Sequence, residues 1–227
     1  MGLSGGMDSA TLLSHLLDEG YEVHCCTFTY GSKHNPYETQ SAKDIIAYHH
    51  MEGMAGHPVK QHEFDLTPIL GNLGSALLAS DPEDIPEGHY ADENMKKTVV
   101  PGRNLLFSAT MASLAESIGA STIALGVHSG DHFIYPDCRT EFVKSLDTTV
   151  FLSTDKQVEV IAPFSDIDKE GILRIGYDCS PPTPYHLTRT CYKDQELSCG
   201  KCGSCNERLE AFEAIGKEDP IKYQNNG

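Results

Sequence analysis

Residues 3–9 read Leu-Ser-Gly-Gly-Met-Asp-Ser and run directly into an apolar stretch of helical period. This junction constrains the fold more than any other segment, because a glycine turn must launch a helix at once. Gly5 and Gly6 let the backbone approach a phosphate closely and take dihedrals that a Cβ forbids. Ser4 and Ser9 offer hydroxyls, and the helix behind them points free N–H groups and its positive dipole end at the anion. Asp8 beside a phosphate requires a cation between the two, which implies Mg²⁺. The bland alternative is a glycine turn with Asp or Ser capping the helix. Neither G-x-G-x-x-G nor G-x-x-x-x-G-K-[ST] occurs in the chain. The loop begins three residues in, so the strand before it is either unusually short or begun upstream of Met1.

A length of 227 residues suits one α/β domain with a small appendage. Lys and Arg number 17 against 33 Asp and Glu, a formal charge of −16, so no basic footprint for a nucleic-acid backbone is visible. No apolar run reaches membrane-spanning length and no signal-like start is present, so a cytoplasmic protein without membrane contact is expected.

Periodicity predicts helices over 8–19, from the Asn35-Pro36 cap onward, over 103–118, around 141–146 and over 167–175. Strands are predicted over 23–30, 59–65, 122–127 and 158–163. The acidic, proline-bearing stretch 80–93 reads as a mobile surface loop. Strands alternating with helices predict a doubly wound parallel sheet covered on both faces. A change of character at Ser180, before Pro181-Pro182-Thr183-Pro184, divides an α/β domain (1–180) from a C-terminal segment (181–227).

Four of the eight cysteines, Cys191, Cys199, Cys202 and Cys205, stand at spacings that let two tight knuckles close a tetrahedron on one Zn²⁺. Gly200 and Gly203 suit N–H···S turns there. Four thiolates leave no open position for water, so the site is expected to be structural. An iron–sulfur cluster uses the same donor set. A zinc ribbon that reads nucleic acid is the interaction-module rival, against which the acidic flanks Gln195-Glu196, Glu207 and Glu210 weigh. Cys25 and Cys26 fall in a buried strand, where packing is the default.

Five segments in order carry a wider resemblance: Ser4–Ser9, Phe28-x-Tyr30-Gly31-x-Lys33-His34, Pro101-Gly102-Arg103-Asn104, Tyr135-Pro136-Asp137-Cys138-Arg139, and Cys199-Gly-Lys-Cys-Gly-Ser-Cys205. The first matches the pyrophosphate loop S-G-G-x-D-S of enzymes that split ATP into AMP and pyrophosphate. Together they resemble the 7-cyano-7-deazaguanine synthases of queuosine precursor biosynthesis, over essentially the whole chain. The resemblance implies a Rossmann-type, adenine nucleotide alpha-hydrolase-like fold. It implies a carbon–nitrogen ligase that takes ATP, ammonia and 7-carboxy-7-deazaguanine to the nitrile, and a homodimer with Zn²⁺ and with Mg²⁺ on ATP. By the same resemblance Leu3, Ser4, Gly5, Gly6, Met7, Asp8, Ser9, Ala10 and Thr11 bind ATP, and Asp8, Arg103 and Arg139 are catalytic. Arg103, Asp131, Asp137 and Arg139 meet the substrate, since a carboxylate matches the N–H-rich edge of a deazaguanine and Arg its carboxylate.

Each role has a plainer alternative. Arg103 could make a surface pair after a Pro-Gly turn, Asp137 could cap the helix that starts near Arg139, and Lys169, placed to reach pyrophosphate, could be solvated. Cys138 is read as packing, because direct adenylation needs no nucleophile. His132, Phe133 and Ile134 stand where the family has smaller residues, and Ser32 and Lys33 replace its usual Gln and Arg. An enzyme that stops at the amide, or adenylates a tRNA base or another macromolecule, is therefore the alternative reading.

Overall fold

The computed structural model describes residues 1–51, 59–89 and 92–224. Helix α1 (Met7–Asp18) leads to strand β1 (His24–Thr29), helix α2 (Asn35–Met51), strand β2 (Lys60–Asp65) and a single turn α3 (Thr67–Leu70). The second half carries α4 (Arg103–Ile118), β3 (Thr122–Ala124), α5 (Thr140–Ser153), β4 (Glu159–Ile161), α6 (Lys169–Asp178) and α7 (Gly203–Ala214). Both strand pairs, β1 with β2 and β3 with β4, are parallel. Residues 1–3 lie along β1 as a further short rung: Cys26 N donates to Met1 O at 2.7 Å and Leu3 N to Cys26 O at 2.8 Å.

Strand β1 explains why helices cover both faces. Its side chains alternate, so Cys26 and Phe28 pack with Met111 and Ala115 of α4 and Val150 of α5. Cys25 joins Leu12 and Leu13 of α1, Ala42 and Ile45 of α2, and Ile172 of α6. Leu12 and Leu13 are fully buried, each worth about 1.5–3 kcal/mol in apolar transfer. The result is a mixed α/β fold with parallel strands. No described helix is long and apolar enough to cross a membrane.

Several predicted elements differ in extent. The stretch 122–127 keeps only three residues in the ladder before Leu125 N makes a last bond to Ile161 O at 2.9 Å. The chain then turns aside, and Gly126 passes close to the backbone of Asp8 and Ser9. Asn35 does not cap α2. Its Oδ1 accepts from Tyr30 N and Ser32 N, both at 3.0 Å, and closes the turn that leaves β1. The stretch 81–89 holds neither helix nor strand, though Ile85 is buried in it; residues 90 and 91 lie outside the described residues. Lys33 fastens that stretch, donating to Ala76 O at 3.0 Å and Glu83 O at 2.6 Å.

The C-terminal segment packs onto the rest at several points. The four cysteines share a core cluster with Tyr30, Leu70, Leu77 and Val100. Phe212 of α7 packs with Leu173 of α6, Tyr185 and Met7. Arg189 N donates to Gly5 O at 2.7 Å, which ties the segment to the glycine loop. Arg208, fully buried, donates to both oxygens of Asp219 at 2.7 and 2.9 Å and folds the tail back onto α7.

Candidate active site

The glycine loop, the end of β1 and the chain just past β3 open together at the carboxyl ends of the strands, where open α/β sheets hold ligands. They enclose a cavity of about 240 Å³. In the loop, Gly5 has φ +84° and a Cβ there would lie 2.5 Å from Glu38 O, so only glycine fits between the loop and α2. Ser4 and Ser9 join their hydroxyls at 3.1 Å, and Gly6 N donates to Ser4 Oγ at 3.2 Å. No side chain caps the first turn of α1. The plain capping role is thus not taken, and the turn's N–H groups remain available to an anion.

Asp8 stands at the floor. Its Oδ2 lies 3.2 Å from Lys169 Nζ, which also reaches Glu207 Oε2 at 2.6 Å. His128 Nε2 is 4.0 Å from the same Asp8 oxygen. Burial resists the Asp8 charge, but the Lys169 ammonium and then His128 outweigh it and hold the carboxyl below its ordinary range. Burial pushes Glu207 up despite Lys169. Asp8 Oδ1 is buried with no hydrogen-bond partner among the described residues. An ionised, orphaned carboxylate oxygen beside an anion cradle fits a hard cation such as Mg²⁺.

The opposite wall is aromatic and cationic. Phe28 and Phe107 stack at 4.1 Å between centroids and both line the cavity. Arg103 opens α4, and its guanidinium lies 5.7 Å from each of the Tyr30 and Tyr135 ring centroids. Burial works against that charge, yet the surrounding tyrosine hydroxyls keep it firmly protonated. Tyr135 is fixed in turn by Thr98 Oγ1 at 2.9 Å. Arg189, Thr190, Tyr192 and Ser204, which flank the cysteines, complete the lining.

Below this wall the four cysteine sulfurs lie within 4.8 Å of one another, all buried, a donor set able to hold one metal ion. Cys199 Sγ accepts from Lys201 N at 3.4 Å and Cys202 N at 3.3 Å, and Cys191 Sγ from Cys199 N at 3.4 Å. Such outer donors favour thiolate ligands. The first knuckle turns at Gly200, φ +68°, whereas Gly203 instead begins α7.

Residues 1–216 match the family model described as Queuosine biosynthesis protein QueC. The chain belongs to this family. Among curated relatives, the 7-cyano-7-deazaguanine synthase of Pseudoalteromonas atlantica is 42% identical over 97% of this chain and 96% of its own. Those of Caldicellulosiruptor saccharolyticus and Methanoregula boonei are each 42% identical over 98% of this chain, covering 93% and 97% of the relatives.

Within this QueC-family frame, Leu3, Ser4, Gly6, Met7, Asp8 and Ser9 line the cavity, as do Arg103 and Asp131. Gly5, Ala10 and Thr11 stand behind them. Ala10 is fully buried, and Thr11 Oγ1 bonds Met7 O at 2.8 Å and Tyr185 OH at 2.9 Å. Asp137 caps a helix, but α4 rather than α5: its Oδ2 accepts from Asn104 N at 2.9 Å. Arg139 is exposed outside the cavity, donating to His132 O at 3.1 Å. His132, Phe133 and Ile134 do not line the cavity either; Phe133 faces solvent and Ile134 the core. Cys138 receives Asn104 Nδ2 at 3.1 Å, and burial pushes its thiol up, which suits packing rather than attack. Residue types alone left out His34, Glu38, Tyr192 and Ser204. The i, i+4 spacing of His34 and Glu38 and the adjacency of Tyr192 and Ser204 to metal-spaced cysteines were the available signals.

Proposed function

We propose that this chain is an ATP-dependent carbon–nitrogen ligase that converts 7-carboxy-7-deazaguanine and ammonia to 7-cyano-7-deazaguanine. The observation that carries the reading is one cavity with an anion cradle at Asp8 on one side and Arg103, bracketed by Tyr30 and Tyr135, on the other. Such an arrangement suits a triphosphate meeting a carboxylate.

A carboxylate is a poor electrophile with a poor leaving group. The N–H groups of the glycine loop and the hydroxyls of Ser4 and Ser9 hold the phosphates, and Lys169 balances charge as pyrophosphate leaves. Asp8 would hold Mg²⁺ on ATP; when bound, the ion supplies charge neutralisation between carboxylate and phosphate. Arg103 pairs with the substrate carboxylate while its oxygen joins the α-phosphate, and Phe28 and Phe107 offer flat faces to a planar ring. Ammonia displaces AMP to give an amide, and a second adenylation on the amide oxygen lets that oxygen leave, forming the nitrile. Asp131 meets the N–H-rich edge of the base. Asp137 and Arg139 act from behind, Asp137 by holding the first turn of α4 and Arg139 by fixing the strap that carries Asp131.

Residues 1–180 supply the ATP half. Residues 181–227 hold one structural Zn²⁺ through Cys191, Cys199, Cys202 and Cys205 and close the cavity with Arg189, Tyr192 and Ser204. The protein works in the cytoplasm as a homodimer, without direct nucleic-acid contact.

Mass spectrometry of products from the acid, ammonia and ATP tests the reading. Two AMP and two pyrophosphate per nitrile, with a transient amide, are expected. One AMP per product with amide as the end point would establish the amide-forming alternative, and no turnover of the acid would point to another acceptor.

A further inference from the structure

The same cavity holds a carboxyl group to which the ligase chemistry above gives no task. Glu38 lies on the first turn of α2, with its Oε2 3.5 Å from His34 Nε2. His34 is buried and reaches Tyr30 OH at 3.4 Å, and Tyr30 OH in turn accepts from Arg103 at 3.4 Å. Glu38, His34, Tyr30 and Arg103 therefore form one contiguous line of polar groups along the cavity, between the glycine loop and the site for the substrate carboxylate.

A charge at a helix start ordinarily favours an ionised carboxylate. Here burial prevails over the Arg103 and Arg189 guanidiniums and pushes Glu38 up to about 8. Burial, with the same two arginines, holds His34 neutral by lowering it to about 3, so it stands 3.5 Å from Glu38 without bringing a charge. The other ionisable groups on the cavity wall are Tyr30, Tyr135, Tyr192, Asp131, Asp8, Lys169 and the thiols of Cys26 and Cys138.

We propose that Glu38, with the neutral His34 ring beside it, is the proton acceptor for the nitrogen in both halves of the reaction. The inference rests on the ligase reading. In the first half, ammonia nitrogen bonds to the acyl carbon, the bond from that carbon to the AMP oxygen breaks, its electron pair leaves on AMP, and the surplus N–H proton passes to Glu38. Glu38 returns that proton to water. In the second half, the amide oxygen bonds the α-phosphate and pyrophosphate leaves. The nitrogen then sheds two protons in turn through Glu38 while the carbon–oxygen bond breaks toward AMP and C≡N forms. No oxidant or reductant is required. An acceptor that titrates near working pH suits repeated uptake and release.

The test uses the full chain with Glu38→Gln and Glu38→Asp, each checked for folding by circular dichroism. Pyrophosphate release in the first turnover, without ammonia, should match wild type in Glu38→Gln, while nitrile formation falls about 100-fold or more. In wild type the rate of amide-to-nitrile conversion should rise through about pH 8. That limb should vanish in Glu38→Gln and persist in a slower Glu38→Asp. Equal losses of pyrophosphate release and nitrile, or a Glu38→Gln protein that keeps the limb, would overturn the assignment. A wild-type protein that releases no pyrophosphate with the acid would instead overturn the ligase reading beneath it.

Discussion

Lys169 holds its ammonium 3.2 Å from the Asp8 carboxylate, although α1 and α6 are separated by most of the chain. The contact occupies only Oδ2, leaving Oδ1 without a hydrogen-bond partner among the described residues. One oxygen of Asp8 is thus committed to an internal cation and the other is open to an external one. Glu207, at 2.6 Å from Lys169, supplies the second anion that keeps this buried ammonium charged.

Replacing Asp8 by Asn should separate function from folding. The Lys169–Glu207 pair survives the substitution with one charge of each sign, so the buried site stays balanced. Melting temperature is expected to change by no more than about 4 °C, which corresponds to roughly 1 kcal/mol in a chain of this size. Turnover of ATP should fall about 100-fold or more, since a carboxylate that would ligate a phosphate-bound cation is lost. An Asp8→Asn protein with most of its turnover would remove Asp8 from the mechanism.

The cysteine cluster should hold one Zn²⁺ per chain, measurable by elemental analysis of freshly purified protein. Cys202→Ser is expected to release the metal and lower the melting temperature by about 10 °C or more, because metal binding at such sites is coupled to folding. The loss should carry into the cavity, since Tyr192 and Ser204 next to the ligands line it. Active, metal-free protein would remove the assignment.

What could be read in the chain was local. The loop at Ser4–Ser9, the bounds of α4 and the four-cysteine spacing each depend on residues a few positions apart, and each stands as expected. What could not be read depends on convergence. Asp137 sits beside a helix start in sequence, yet its partner is Asn104 of α4, a neighbour only after the chain has folded. Glu38 looks like an ordinary first-turn acid until folding brings it to the cavity wall beside His34 and near Arg103 and Arg189. Strand β3 is shorter than its apolar run, and the residue at which the chain has left the ladder, Gly126, lies against the glycine loop, a neighbour that only folding supplies.

Glu38 also predicts a pH dependence of stability. Its folded value of about 8 stands above the ordinary 4.5. Between those two values the unfolded chain has lost the proton while the folded protein keeps it. Fewer protons are bound on unfolding, so stability falls as pH rises through this window. Glu38→Gln removes that slope. The melting temperature of the variant, relative to wild type, should therefore climb as pH is raised from about 5 to about 8. A difference independent of pH would mean that Glu38 ionises normally in the folded protein.

The two arginines divide most clearly on the substrate charge. Arg103 lines the cavity between two tyrosine rings, whereas Arg139 is exposed and bonded to His132 O. The acid carries a negative charge and the amide does not, so a guanidinium that pairs with it matters more for the first activation than for the second. Arg103→Ala should reduce turnover of the acid by about 100-fold, with a distinctly smaller loss when the pre-formed amide is supplied. Arg139→Ala should cost both substrates equally and only about threefold, because it removes one exposed hydrogen bond from the strap that carries Asp131 and no partner of the carboxylate. Running both variants on both substrates assigns the carboxylate. An acid-selective loss in Arg139→Ala, with Arg103→Ala indifferent to the substrate, would place the carboxylate beside the 129–139 strap and move the reacting carbon away from the aromatic wall.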